Sequence, residues 1–230
     1  MSFLNFLDLN LLGQVSLDIS TGAYLIWFLP QLFLNFKRHS THGLSLSMHG
    51  LLCVGYLCDL VYGFGLGMQW QYRLITGIGL MSLCIQNYQF LKYGILKEGN
   101  HEKSRIKNIY FIFLNLIFLS LIIFALHILI FSKSAHSFYP RSFYDDLGMV
   151  ANICWFTYMI PQIIKNYFSK STLGLSPYFV LIALFLNLCD STSAWALDWD
   201  YPSKIGPMTA FAKNLILIFQ VGYYAKFYKK

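Results

Sequence analysis

Residues 30–59 recur at 161–190 in a single register, without a gap. Pro30-Gln31-Leu32-Phe33-Leu34-Asn35-Phe36 continues to Ser40-Thr41-His42-Gly43-Leu44-Ser45. Pro161-Gln162-Ile163-Ile164-Lys165-Asn166-Tyr167 continues to Ser171-Thr172-Leu173-Gly174-Leu175-Ser176. The offset of 131 still holds at Cys58-Asp59 and Cys189-Asp190. So many polar matches in one register mark a duplication, and the fold must contain the same unit twice.

Composition says what that unit is made of. Of 230 residues, 57% are hydrophobic and 12% charged, where a soluble domain carries about a quarter charged residues. Apolar runs near the roughly 20 residues a membrane crossing needs lie at about 20–37, 44–64, 73–93, 108–131, 147–167, 175–196 and 206–226. Each repeat then holds three spans, an odd number. For both copies to start on the same side, one more span must separate them, and 108–131 supplies it. The predicted fold is an all-α membrane protein whose seven transmembrane helices form two parallel three-helix bundles joined by a linker helix, 3+1+3. Its parts are a lead-in at 1–19, a first repeat at 20–95, loops and linker at 96–146, and a second repeat at 147–230. Parallel repeats about an axis along the membrane normal are a transporter architecture, with the pathway between them.

Charge supplies the orientation. The net charge is +7, from 17 Lys and Arg against 10 Asp and Glu. Lys37, Arg38, Lys92, Lys103, Lys165 and Lys226 fall with most of the positives at one side, against Arg73, Lys133, Arg141 and Lys204 at the other. The positive-inside rule then places the N-terminus outside and the C-terminus in the cytoplasm. Met1 to Gly13 is apolar but has no basic n-region, so it reads as an interfacial helix rather than a cleaved signal. The five cysteines lie in apolar stretches without CxxC spacing and read as small buried hydrophobes. No nucleophile–base pair, phosphate loop or metal-ligand spacing appears, so neither an enzyme, a metal site nor a bound cofactor is expected, and nucleic acid is not an expected partner. Short loops without an N-x-S/T acceptor suit a bacterial inner membrane better than a lysosomal or vacuolar one.

The doubled Pro-Gln segment, followed by a basic turn and Ser-Thr-x-Gly-Leu-Ser, resembles the PQ-loop family, which shares its fold with the SWEET sugar facilitators. Leu29-Pro30-Gln31-Leu32-Phe33-Leu34-Asn35-Phe36-Lys37-Arg38-His39-Ser40 looks closest to the cystinosin-like amino-acid exporters. The resemblance covers both repeats and implies alternating-access transport, often proton-coupled. It also implies an acidic or Asn position early in the second span of each repeat, where this chain has Leu52 and Ala183. The family's proton site therefore does not carry over residue for residue.

Within the spans, Pro30 and Pro161 each delete a helix hydrogen bond, at Ile26 and Thr157. Either a hinge or a static kink satisfies that; the symmetric pair, each followed by a glutamine, favours gates at Pro30-Gln31 and Pro161-Gln162. Asp59 and Asp190 lie about 22 Å along their helices from the inner end, in the outer third of a hydrocarbon core of roughly 30 Å, where a carboxylate is by default functional. Lys213 reaches the same depth. Asp190 and Asp59 are proton-coupling candidates; a structural Asp190–Lys213 ion pair with Asp59 at a wet mouth is the competing arrangement. Asn187, Lys213 and Asn214 form the dense polar cluster of the second repeat and are candidate substrate contacts. Gln86 and Gln220, aligned with a three-residue insertion, and Trp155 and Tyr158 join them, with Tyr24 and Trp27 as possible cavity walls. His39, His42 and His49 read mainly as turn histidines; Ser45 and Ser176 read as helix caps. The expected activity is transport of a small polar solute, an amino acid of cystine-like or cationic type, coupled to protons. A sugar facilitator and a ligand-binding receptor are the alternatives.

Overall fold

The computed structural model describes residues 8–95, helical positions between 112 and 127, and residues 139–199 and 201–227. The chain is helical throughout these segments: α1 (Leu9–Trp27), α2 (Leu29–Arg38), α3 (Leu46–Gly65), α4 (Trp70–Gln89, ending in a π-helical turn over Phe90–Ile95), α5 (Arg141–Thr157), α6 (Ile160–Ser169), α7 (Pro177–Ala196) and α8 (Tyr201–Phe227). Among the described residues six helical stretches are long and apolar enough to cross a bilayer: Leu9–Arg38, Leu46–Gly65, Trp70–Tyr93, Arg141–Ser169, Pro177–Ala196 and Lys204–Phe227. The protein is a multi-pass integral membrane protein, three crossings to each repeat. Residues 112, 115, 116, 119, 120, 122–124, 126 and 127 are the described helical positions of the linker; the other positions of the expected 108–131 span lie outside the described residues.

The duplication is visible in the backbone. Ser45 and Ser176 cap α3 and α7, accepting the N–H groups of Met48 and Phe179 at 3.3 and 3.4 Å. His39 and Lys170, also related by 131, both turn left-handed at φ 46° and 49° and close α2 and α6. The first span of each repeat breaks just before its proline. Phe28 and Met159 sit between the two halves with φ/ψ of −77°/−21° and −79°/−22°. Each then accepts from the two residues after its proline, Gln31 and Leu32 in one repeat and Gln162 and Ile163 in the other.

One boundary differs from expectation. The first span does not start at residue 20: α1 begins at Leu9, capped by Asp8 Oδ1, which accepts from the N–H groups of Asn10 and Leu11. The polar residues that weaken a linear hydropathy reading here are paired inside the protein. Ser16 Oγ donates to the Cys189 carbonyl at 3.0 Å, and Ser193 Oγ returns a bond to the Gly13 carbonyl at 3.1 Å. Residues 9–19 are therefore helix continuous with the first candidate span.

Packing crosses between repeats. α1 lies chiefly on α7, and α3 on α5. The interior is built from Trp27, Phe28, Tyr56, Met159, Phe179 and Leu186, while Phe33, Met81, Ile153 and Phe219 point outward, as a lipid-facing surface requires.

Candidate functional site

At the end of the bundle carrying the two Ser-Thr-x-Gly-Leu-Ser loops, each Pro-Gln glutamine grips the opposite repeat. Gln31 Nε2 donates to the Gly174 carbonyl at 2.9 Å, and its Oε1 accepts the Ser176 N–H at 2.8 Å. Gln162 mirrors this, with Nε2 to the Gly43 carbonyl at 3.0 Å and Oε1 from the Ser45 N–H at 2.7 Å. Both glutamines are fully buried. The loops meet backbone to backbone: a Cβ on Gly43 would lie 1.8 Å from the Leu173 carbonyl oxygen, and one on Gly174 2.6 Å from the Gly43 Cα. Gly174 also holds φ +98°, a conformation natural only to glycine. Lys165 Nζ adds bonds to the carbonyls of His42 and Leu44 at 2.8 and 2.7 Å. This end is closed.

The clamp is tied back to its own repeat by asparagines. Gln31 and Gln162 donate to Asn35 and Asn166, each at 2.8 Å. Those asparagines donate to Gln89 at 2.8 Å and Gln220 at 3.0 Å, which in turn bond the carbonyls of Leu32 and Ile163. The counterpart of Gln220 is thus Gln89, at the ungapped offset of 131, and not Gln86. Gln86 and Asn87 instead hold the two ring nitrogens of buried His49, at 3.3 and 2.8 Å, and Asn87 reaches Asn115 of the linker at 3.0 Å. Neither Gln86 nor Gln220 lines the cavity described next.

From the opposite end a cavity of about 700 Å³ runs between the repeats. Met68, Gln69, Asp145 and Trp199 line its wall along with Tyr24, Trp27, Tyr56, Trp155 and Tyr158. Asp59 and Asp190 both face it. Tyr72 Oη and Trp155 Nε1 donate to Asp59 at 2.5 and 2.6 Å; Ser20 Oγ and Tyr24 Oη donate to Asp190 at 2.5 and 2.8 Å. Tyr24 and Trp155 are themselves repeat equivalents, so each repeat's first helix holds the carboxylate of the other. These donors are neutral, and a carboxylate inside a membrane costs about 2.5–3.5 kcal/mol by insertion scales. Two buried carboxyl groups therefore share one cavity, held by hydrogen bonds, with no Lys, Arg or His among the described lining residues.

Residues 12–72 and 146–203, more than half of the chain, match the PQ loop repeat family. The protein belongs to the PQ-loop family. A solved structure of a eukaryotic SWEET transporter superposes with a TM-score of 0.63, covering 93% of this chain and 99% of that one at 15% identity, which establishes the shared fold. An uncharacterized protein of Schizosaccharomyces pombe is 33% identical over 77 residues, 34% of this chain. That match spans 27% of the yeast protein's length.

In this PQ-loop chain the remaining expected site residues separate. Trp155, Tyr158 and Asn187 line the cavity; Asn187 Nδ2 is buried without an acceptor among the described residues. Asn214 is fully buried away from the cavity lining, with both amide atoms unpartnered among the described residues. Lys213 is the clearest correction. Its Nζ donates to the carbonyls of Trp155, at 3.3 Å, and Phe156, and lies 4.7 Å above the Phe156 ring. Those carbonyls belong to the last turn of α5, freed by the proline break, where an ammonium is favoured by unmet acceptors and by the helix dipole. Asp190 meets Ser20 and Tyr24 instead, so the structure holds no Asp190–Lys213 pair. Ser20 and Tyr72 escaped the sequence reading. The 131 offset from Trp155 to Tyr24 was a signal for one donor; nothing comparable points to Ser20 or Tyr72.

Proposed function

We propose that this PQ-loop protein transports a small polar solute, an amino acid or a close amine relative, by alternating access coupled to protons. The observation that carries the reading is the cavity between repeats, reachable from one end and shut at the other by a clamp built symmetrically from both. Pro30-Gln31 and Pro161-Gln162 are the hinges and gates: the helix is already broken there, and the glutamine after each break carries the closing bonds. Asp190 and Asp59 take the coupled protons, and an ammonium on the solute would meet the same carboxylates. The fold shared with a SWEET transporter and the cystinosin-like sequence around both Pro-Gln pairs support this assignment. Residues 147–230 and 20–95, the latter extended back to Leu9, act as the two moving halves. With the N-terminus outside a bacterial inner membrane, the cavity faces outward.

Purified protein in proteoliposomes with an imposed proton gradient tests the proposal. Amine or amino-acid uptake that collapses with a protonophore, and falls at least ten-fold in Asp190→Asn, is expected. Undiminished proton-driven uptake in Asp190→Asn would remove the coupling role. A vesicle that accumulates no amino acid, amine or sugar would remove transport itself. A sugar facilitator is the second reading, favoured by the free amide of Asn187 and the aromatic walls; glucose uptake indifferent to pH gradient and to Asp190→Asn would select it.

A further inference from the structure

An amino acid presents both an ammonium and a carboxylate, and the cavity lining offers carboxyl groups for the first but no cation for the second. Lys213 is committed to the carbonyls of α5, and no Lys, Arg or His lines the cavity among the described residues. Asp59, Asp190 and, near the mouth, Asp145 do line it. Asp145 is paired with Arg141 at 3.9 Å, so a solute carboxylate that passes the mouth would meet Asp59 and Asp190 with no cation on the lining to receive it.

What the walls offer instead is consistent. Rings of Tyr24, Trp27, Tyr56, Trp155 and Tyr158 border the same space as the two carboxylates, and aromatic faces attract organic cations. Asp59 and Asp190 each accept only two bonds from neutral donors, leaving lone pairs for an ammonium. Asn187, 8% exposed, presents an unpartnered Nδ2 donor in the same cavity. A buried amide N–H without an acceptor calls for a ligand oxygen. An uncharged carbonyl or hydroxyl oxygen meets that need without repulsion from the acids.

We propose that the cavity selects an organic ammonium whose oxygen is uncharged, an amino amide, amino alcohol or amino sugar, over the corresponding zwitterion or neutral sugar. The inference rests on the transport reading of this cavity and narrows its substrate.

Matched pairs separate charge from shape. Full-length protein in nanodiscs is titrated calorimetrically with lysinamide against lysine, which differ by the carboxylate, and with glucosamine against glucose, which differ by the ammonium. Lysinamide is expected to bind at least ten-fold more tightly than lysine, and glucosamine than glucose. Asp59→Asn and Asp190→Asn should each weaken lysinamide at least ten-fold, and Asn187→Ala several-fold, in protein that elutes as wild type on gel filtration. Lysine equal to lysinamide, glucose equal to glucosamine, or no binding by either amine overturns the inference. The wild-type pairs decide it even if an aspartate variant fails to fold. Proteoliposome uptake of lysine or glucose alongside that failure would leave transport standing, whereas absence of all uptake would remove the transport reading as well.

Discussion

Asp59 and Asp190 are each a carboxyl group within a membrane-spanning helix, held among the described residues only by neutral donors. Tyr24→Phe or Trp155→Phe removes one donor and leaves the charge, a loss of about 1–3 kcal/mol for an unsatisfied buried group. A matching drop in thermal stability is expected, and an unchanged melting temperature in both variants would remove the donors from the account. Lys213 behaves oppositely. Lys213→Met should lower stability by about 1 kcal/mol, the scale of a cation at a helix C-terminus, while solute affinity stays at wild type. Affinity falling ten-fold in that variant would return Lys213 to the site. The carboxylates were legible in the sequence because intramembrane acids are rare and these two recur at one offset. The role of Lys213 was not, since position along a helix fixes depth but not the direction in which a side chain points. Gln86 was misaligned for a related reason: a plausible insertion hid Gln89, whose role shows only in its bonds to Asn35 and Leu32.

At the scale of elements, the two first spans are each a pair of helices with a break fixed by proline. Pro161→Ala restores the missing N–H and should straighten α5 into α6, lowering uptake about ten-fold while circular dichroism shows unchanged helix content. Unchanged uptake would make the break a static kink. The breaks were readable because proline removes a specific hydrogen bond whatever the surroundings. The start of α1 was not, because Ser16, Ser20 and Thr21 look unfavourable in lipid until α7 supplies partners or, for Thr21, the Leu17 carbonyl of its own helix does. The glycines of the facing loops belong to this scale too. Gly43→Ala forces a methyl into the Leu173 carbonyl, so that variant should favour an opened loop end, seen as faster thiol labelling of a cysteine placed at buried Thr41 in a background without the native cysteines.

For the whole molecule, the decisive quantity is how firmly the closed end is held. Four glutamine bonds cross between repeats there, and interhelical hydrogen bonds in membranes average about 0.6 kcal/mol, together ~2.4 kcal/mol or roughly a fifty-fold population bias. Under the proposed function, a solute and its protons would need to reverse a bias of about that size. The twofold arrangement itself was legible before any coordinates, since the 131 offset and the parity of three spans require it. That the glutamines bond across the repeats was not, because a sequence repeat says which residues are alike and not which of them touch. Spin labels on exposed, equivalent positions His42 and Leu173, introduced as cysteines in a background without the native ones, report directly on this clamp. Dipolar broadening of the continuous-wave spectrum at short range and double electron–electron resonance at long range should give two populations, the short one dominant in the free protein and the long one growing as solute and acid pH are supplied together. A single short distance under every condition would contradict alternating access.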